Sequence, residues 1–390
     1  MILFYELTQA GVSHAPFTRA FLETAALAFP EQQLTIFAQA SHLEAALGQL
    51  DDVLARRLTR IAYLPPQLKA RDFRRRFMST FAMLHKTWLP LEKQAPQVVF
   101  LSSEPHHIWA AKCFKMLHPA FRCHMVLHGD LNSIQAPRAR NPMLRGLDYT
   151  SAIGTLPLRD IRYITLETHI AVNLAQRIPP ATPVIDMIRH PCIASDTPWL
   201  SSCLPTTSIR FGLLGIAGPS KGLDLFAKLA LRVSRDQPFQ PDFRLVGKLQ
   251  QDANTLDLSG ISGPLPFSQS WLTREIFETE ICALHYVVLP YNMNYYGLSA
   301  SGVLLDVLRW RKPVIALDTP VIRELANMFG DIGYICADEA EIQSTAERLL
   351  HQFDAQRYQQ QRENLDRAYA SRLPDATAPA YRAMQERCWS

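Results

Sequence analysis

Residues Tyr286 to Glu324 read YVVLPYNMNYYGLSASGVLLDVLRWRKPVIALDTPVIRE. Tyr286-Val287-Val288-Leu289 is an almost wholly apolar run stopped by Pro290, the pattern of a strand buried in a parallel sheet. Asn292 to Gly297 is loop. Ser299-Ala300-Ser301-Gly302 then has the composition of a helix start, with a hydroxyl at the cap position. Val303, Leu304, Val307 and Leu308 share one helical face, and Lys312-Pro313 ends the helix. Pro313 to Leu317 is the next buried strand. The first turn of a helix carries unpaired N–H groups and the positive end of the dipole, and small residues there let an anion reach the backbone. Asp306, one turn further in, would accept hydrogen bonds from ribose hydroxyls beside a phosphate. The same residues also suit a plain structural αβ unit with Asp306 solvated.

A second stretch lies upstream. Ser208 to Phe226, SIRFGLLGIAGPSKGLDLF, is a strand ending at Gly215, a loop of small residues, and Lys221-Gly222 leading into an amphipathic helix. Taken in order, Gly215, Lys221-Gly222, Pro290-Tyr291, Ser301-Gly302, Asp306 and Arg311-Lys312-Pro313-Val314-Ile315 resemble the motifs of the GT-B glycosyltransferases, specifically glycosyltransferase family 4 (the glycosyl transferases group 1 domain). The resemblance covers roughly Ile209 to Leu350. It implies an α/β GT-B protein whose two Rossmann-like domains face a deep cleft. The implied activity is a hexosyltransferase that moves a sugar from a nucleotide-diphosphate donor to a hydroxyl of a glycan or lipid-linked acceptor. Anomeric configuration would be retained, in bacterial polysaccharide or glycoconjugate synthesis.

In such an enzyme the principal task is to stabilise charge on the departing β-phosphate. The resemblance assigns that task to Lys221 and to the N–H groups near Ser301, Gly302 and Val303, with Asp306 on the ribose and Ser299 also among the donor-binding residues. Gly215, Lys248, Gly263 and Leu265 would line the nucleotide, Gly263 in the Leu258–Pro264 strand and loop facing the base and Leu265 directly after it. Gly11 would let the backbone approach donor or acceptor, and His128 would face the donor sugar. No metal and no cofactor beyond the donor substrate is expected. Two residues depart from the family pattern. Ile216 stands where the family has an arginine, leaving Arg210, Lys248 or Arg323 to supply that charge. Asn292, Asn294 or Tyr296 stands where the family has the first of two glutamates. Those departures keep open a second reading, a non-catalytic scaffold or partner subunit of the same fold.

The first half alternates in the same way. Short apolar runs at Met1–Tyr5, Leu34–Phe37, Arg60–Leu64, Val98–Leu101, Arg122–Leu127, Arg162–Leu166 and Pro183–Ile188 are separated by helical segments, so a second parallel α/β domain is expected. The expected domains are residues 1–195 and 208–377, joined by an irregular Ala194–Thr207 linker, with a last helix over 378–390 returning to the first through Tyr381 and Trp389. Glu324 is expected to cap a helix, and Glu339–Arg372 to be helical. Polar groups gather at strand ends: Ser13 and His14, Glu104 with His106 and His107, His128 and Asp130, Glu167 and His169, and His190.

At 390 residues the chain exceeds one ordinary core. The sequence holds no apolar run long enough for a membrane span and no basic-then-apolar leader pattern, so a cytoplasmic protein without a secretory signal is the expectation. Its seven cysteines are scattered without a C-x-x-C pair, which points to reduced thiols rather than a disulfide frame or zinc site. Residues 1–195 carry 21 Lys and Arg against 14 Asp and Glu, and the remainder 19 against 22. The excess centres on Arg56-Arg57, Arg60, Lys69, Arg71 and Arg74-Arg75-Arg76. It reads either as a solvated helix face or as a peripheral contact with anionic lipid at the inner membrane face. No nucleic-acid motif accompanies it.

Overall fold

The computed structural model describes residues 1–48, 52–64, 72–128, 131–135, 147–194, 204–250, 256–263, 272–291 and 296–389. Leu265, Gly129, Asp130, Asn292, Asn294, Lys69, Arg71 and most of the expected linker lie outside them. The chain divides into two compact units. The first holds Met1–Ala194, Gly297–Ala300 and Arg372–Ser390, the second Ser195–Tyr296 and Ser301–Ser371.

The first unit is built on strands β1 (Ile2–Glu6), β2 (Leu34–Ala38), β3 (Leu58–Ala62), β4 (Gln97–Phe100), β5 (Cys123–Val126), β6 (Ile161–Thr165) and β7 (Ile185–Met187). They form one seven-stranded parallel sheet in the order β3-β2-β1-β4-β5-β6-β7. The order reverses between β1 and β4, the kind of switch point at which open α/β sheets take ligands. All five residues of β1 are buried, as a strand covered on both faces requires. On one face the helix Ala15–Ala28 packs with Pro374–Trp389. Tyr381 meets Phe21 and Phe29 edge-on at 5.3 and 5.9 Å, and Thr24 bonds Thr377 at 2.9 Å. Fully burying side chains such as Tyr381 and Met384 stabilises this seam by about 1.5–3 kcal/mol each. The side chain of Trp389 is not among those described.

The second unit carries β8 (Ser208–Ala217), β9 (Gln240–Leu249), β10 (Ile261–Ser262), β11 (Tyr286–Leu289), β12 (Val314–Leu317) and β13 (Gly333–Cys336), parallel in the order β10-β9-β8-β11-β12-β13. Here too the order reverses, between β8 and β11, so the loop after β8 and the helix after β11 flank one switch point. Among the described residues no helix is long and apolar enough to cross a membrane.

Several local expectations are corrected. Glu324 does not cap a helix. It sits inside Pro320–Phe329, whose N-cap is Thr319, because Pro320 suits the first helical position and starts the helix earlier. The Glu339–Arg372 helix is two, Glu339–His351 and Ala355–Ala370, the second starting where the Asp354 carboxylate accepts the Arg357 N–H at 2.9 Å. Within the strand and loop expected at Leu258–Pro264 the strand is Ile261–Ser262, and Pro264 lies outside the described residues. Arg57 is not a free surface charge: its guanidinium donates to the carbonyls of Ala26, Phe29 and Gln32.

Candidate functional site

In the second unit the C-terminal ends of β8 and β11 bring two loops together. Gly215 has φ +83°, a region few side chains tolerate, and a Cβ placed there would lie 2.9 Å from Val303 Cγ2. The strand end thus abuts the first turn of the helix Gly302–Arg309. Beyond it the chain makes one tight turn, with the Lys221 and Gly222 N–H groups donating to Gly218 and Pro219 at 3.0 and 3.1 Å. Gly222, at φ +78°, starts the helix Leu223–Arg232. A Cβ on it would come within 2.6 Å of the Pro290 carbonyl oxygen, so only glycine lets the Lys221 loop close down on the end of β11.

Ser301 is the N-cap of Gly302–Arg309. Its hydroxyl accepts the Leu304 N–H at 3.2 Å and shares a 2.5 Å hydrogen bond with the Tyr291 hydroxyl, whose ring stacks on Tyr296 at 3.6 Å. Among the described residues the N–H groups of Gly302 and Val303 meet no acceptor. A Cβ on Gly302 would enter open space. The turn therefore carries two N–H donors without an acceptor among the described residues, at the positive end of the dipole. Lys221 is half-buried, and burial pushes its ammonium below the ordinary lysine value. Asp306 is half-buried one turn along the same helix.

The fold also sorts the cations that were to replace the missing arginine. Ile216 pairs in register with Lys248, so that lysine stands beside the vacant charge position. Arg210 lies near the start of β8, six residues and about 20 Å of strand away, and its guanidinium donates to the Ala283 carbonyl. Arg323 is tied to Asp318. Of the three, only Lys248 stands in register with Ile216. Gly263 directly follows β10.

Gly11, His128 and Ser299 belong to the first unit. Ser299 was grouped with Ser301 by sequence, yet Gly297–Ala300 clusters with the first unit, where Leu298 is buried in the core and the Asn173 amide donates to the Gly297 carbonyl at 2.6 Å. His128 stacks on His14 at 4.1 Å and meets Phe17 and His190 edge-on at 4.2 and 5.3 Å. Burial holds His128 well below the usual histidine range, with His14 and His190 adding to the effect, and burial takes His190 to about 4. These imidazoles are neutral at pH 7. The Nδ1 atoms of His14 and His128 are buried and meet no hydrogen-bond partner among the described residues. His14 caps Ala15–Ala28 from a left-handed conformation, φ 55°, a strain that clusters at functional sites. Gly11, at φ +52°, accepts a hydrogen bond from His42 through its carbonyl at 3.0 Å.

Three polar residues that the sequence did not single out as one site also gather in this unit. Glu6 closes β1 fully buried, accepting from Ser102 Oγ at 2.6 Å and from the Thr8 and Gln9 N–H groups at 3.2 Å. Arg76 pairs with Glu104 at 2.7 Å beside His106. A carboxylate that ends an otherwise apolar strand, Ile2-Leu3-Phe4-Tyr5-Glu6, was the available signal for the first.

Known proteins share this fold at low identity. A glycosyltransferase from Rickettsia africae superposes with a TM-score of 0.63 at 11% identity, covering 99% of this chain and 98% of that one. HepE from Anabaena, solved with UDP-glucose, gives 0.63 at 11% identity over 99% of both chains. WaaG, described as a glycosyltransferase involved in lipopolysaccharide biosynthesis, gives 0.58 at 12%, covering 98% and 99%. The chain has the GT-B fold, two Rossmann-like domains each on a parallel sheet. No protein-family model matches the sequence, and no curated protein matches it.

The open volume at Gly302 gives a direct test. Gly302→Val should leave the unfolding midpoint within a degree or two of wild type, since a Cβ at this position has no atom within 4 Å. Nucleotide affinity should fall about tenfold or more, because the new methyls occupy the approach to the two N–H donors. Unchanged calorimetric affinity would remove this turn from the binding site.

Proposed function

We propose that the protein is a nucleotide-sugar glycosyltransferase, transferring a hexosyl group with retention to a hydroxyl of a glycan or lipid-linked acceptor. The observation that carries the reading is the convergence, inside one unit, of the Lys221 loop and the free first turn of Gly302–Arg309 at a topological switch point. In this reading the N–H donors, the dipole and the ammonium together make an anion site there. In this proposal the diphosphate docks on Gly302 and Val303, Lys221 and Lys248 neutralise the charge that builds on the leaving β-phosphate, and Asp306 fixes the ribose. His128, as a neutral imidazole, hydrogen-bonds the donor sugar, and Gly11 lets the backbone approach it. Gly215, Gly263 and Leu265 line the nucleotide. No metal or further cofactor takes part. The neighbours solved with UDP-glucose and described in lipopolysaccharide biosynthesis support a sugar-nucleotide donor and a glycoconjugate product. The exposed Arg74 and Arg75 would hold the first domain against anionic lipid.

Ile216 in the arginine position favours a second reading, a non-catalytic protein of the same fold. Calorimetry with UDP and GDP, followed by a donor screen for nucleotide release with and without acceptor glycans, separates the two. Binding with turnover supports the enzyme, binding without turnover supports the scaffold, and failure of both nucleotides to bind overturns the site.

A further inference from the structure

Two cavities in the first unit adjoin each other. The larger, about 780 Å³, lies on one face of β1, β2 and β3. In-register neighbours project to the same face, so Leu3, Thr35 and Thr59 form one row and Tyr5, Phe37 and Ile61 the next. The helix Phe73–Thr87 covers only the β1 side of that face. Tyr5 bonds Thr87 at 2.6 Å, and Phe81 leans onto Phe114 of the helix Pro105–Leu117, away from β3. Thr59 and Ile61 of the edge strand β3 are exposed on that face, although strands of a parallel sheet are ordinarily covered on both faces. The trough that remains is walled by Phe37, Ile61, Ala82 and Met83 and runs from Ser79 down to Lys86, about 10 Å by the rise of the helix. Its volume falls within the range of roughly 300–1,000 Å³ typical of ligand pockets.

The second cavity, about 170 Å³, lies at the carboxyl ends of β1 and β4, the switch point of this sheet. It is polar, lined among others by Thr8, Gln39, Arg76, Thr80 and Glu104. Tyr63 and Ser79 line both cavities, and their hydroxyls share a 3.0 Å hydrogen bond where the two meet. Arg76 is neutralised by Glu104, so the small cavity offers paired donors and acceptors without net charge, which suits hydroxyls better than a phosphate.

We infer that the acceptor is an amphiphile: its aliphatic chain lies in the trough over β2 and β3, and its hydroxylated head sits in the pocket between Arg76 and Glu104. Naming it an acceptor rests on the transferase reading; the binding site itself does not. The continuity of an apolar trough with a neutral polar pocket selects a single-chain glycolipid over a free glycan, which would leave the trough empty.

The test uses the full chain with n-alkyl β-D-glucosides from hexyl to decyl, below their micelle concentrations, against glucose, with UDP binding measured in parallel. Affinity should rise about three- to fourfold per added methylene. Ile61→Glu and Ala82→Glu, both at exposed positions, should flatten that dependence while thermal unfolding stays near wild type. Equal affinity for glucose and decyl glucoside overturns the inference, as does an identical chain-length slope in wild type and both variants. A slope without UDP binding sustains the trough and sinks the transferase reading; UDP binding without a slope does the reverse.

Discussion

Replacing Lys221 by methionine is expected to lower kcat for donor turnover by about 10²- to 10³-fold, the loss typical when one preorganised group facing developing negative charge is removed. The side chain is half-buried at the end of a loop that Gly222 clamps onto Pro290, so its position is set before any ligand arrives. Burial lowers its pKa, which means the protein holds the ammonium in a site unfavourable to charge. A bound diphosphate reverses that preference and raises the pKa, so binding takes up a proton on the alkaline side. Nucleotide affinity should therefore be fully present at lower pH and decline as pH rises through the lowered value, earlier than an ordinary lysine would allow. Lys221→Met should weaken binding and abolish this alkaline limb. Calorimetry across pH, on wild type and variant, reads both effects. A variant that binds UDP with wild-type affinity and wild-type pH dependence would show that Lys221 does not face the phosphates.

What the sequence disclosed follows from which interactions are local. Tyr286–Leu317 was legible because a buried parallel strand, a Ser cap and a helical face each leave their mark within a few residues. The same locality misled at Ser299. Its neighbours Leu298 and Ala300 look like part of one helix entry, yet Leu298 is buried in the core of the other unit, and no spacing rule marks where a chain changes core. Strand direction was needed to separate Lys248 from Arg210, since the cation must sit at the carboxyl end of its strand. His14, His128 and His190 were each picked out at strand ends, but no spacing rule could show that His14 and His128, 114 positions apart, stack on each other or that Phe17 joins them. Arg57 shows the limit of charge counting: a basic run read as surface contained a guanidinium spent on three backbone carbonyls.

The largest stability effect is expected at Arg372. Its guanidinium is 2% exposed and meets Glu167, 4% exposed, through two parallel bonds of 2.6 and 3.1 Å. Glu167 follows β6, at the N-cap of the helix Thr168–Arg177. Arg372 stands just before the closing helix Pro374–Trp389, and its carbonyl accepts the Cys192 N–H at 2.8 Å. The pair thus pins the return of the chain to the first sheet. Arg372→Met leaves a carboxylate buried without its partner and should cost about 3–5 kcal/mol, whereas the double variant Glu167→Leu with Arg372→Met should recover most or all of that loss, because the desolvation of two charges is no longer required. Hydrogen exchange localises the effect: amides of Ala378 to Gln385 should open about two to three orders of magnitude more readily in the single variant and return close to wild type in the double. Equal destabilisation by the single and double variants would mean that the packing of the long arginine stem, not its charge, holds the closing helix in place.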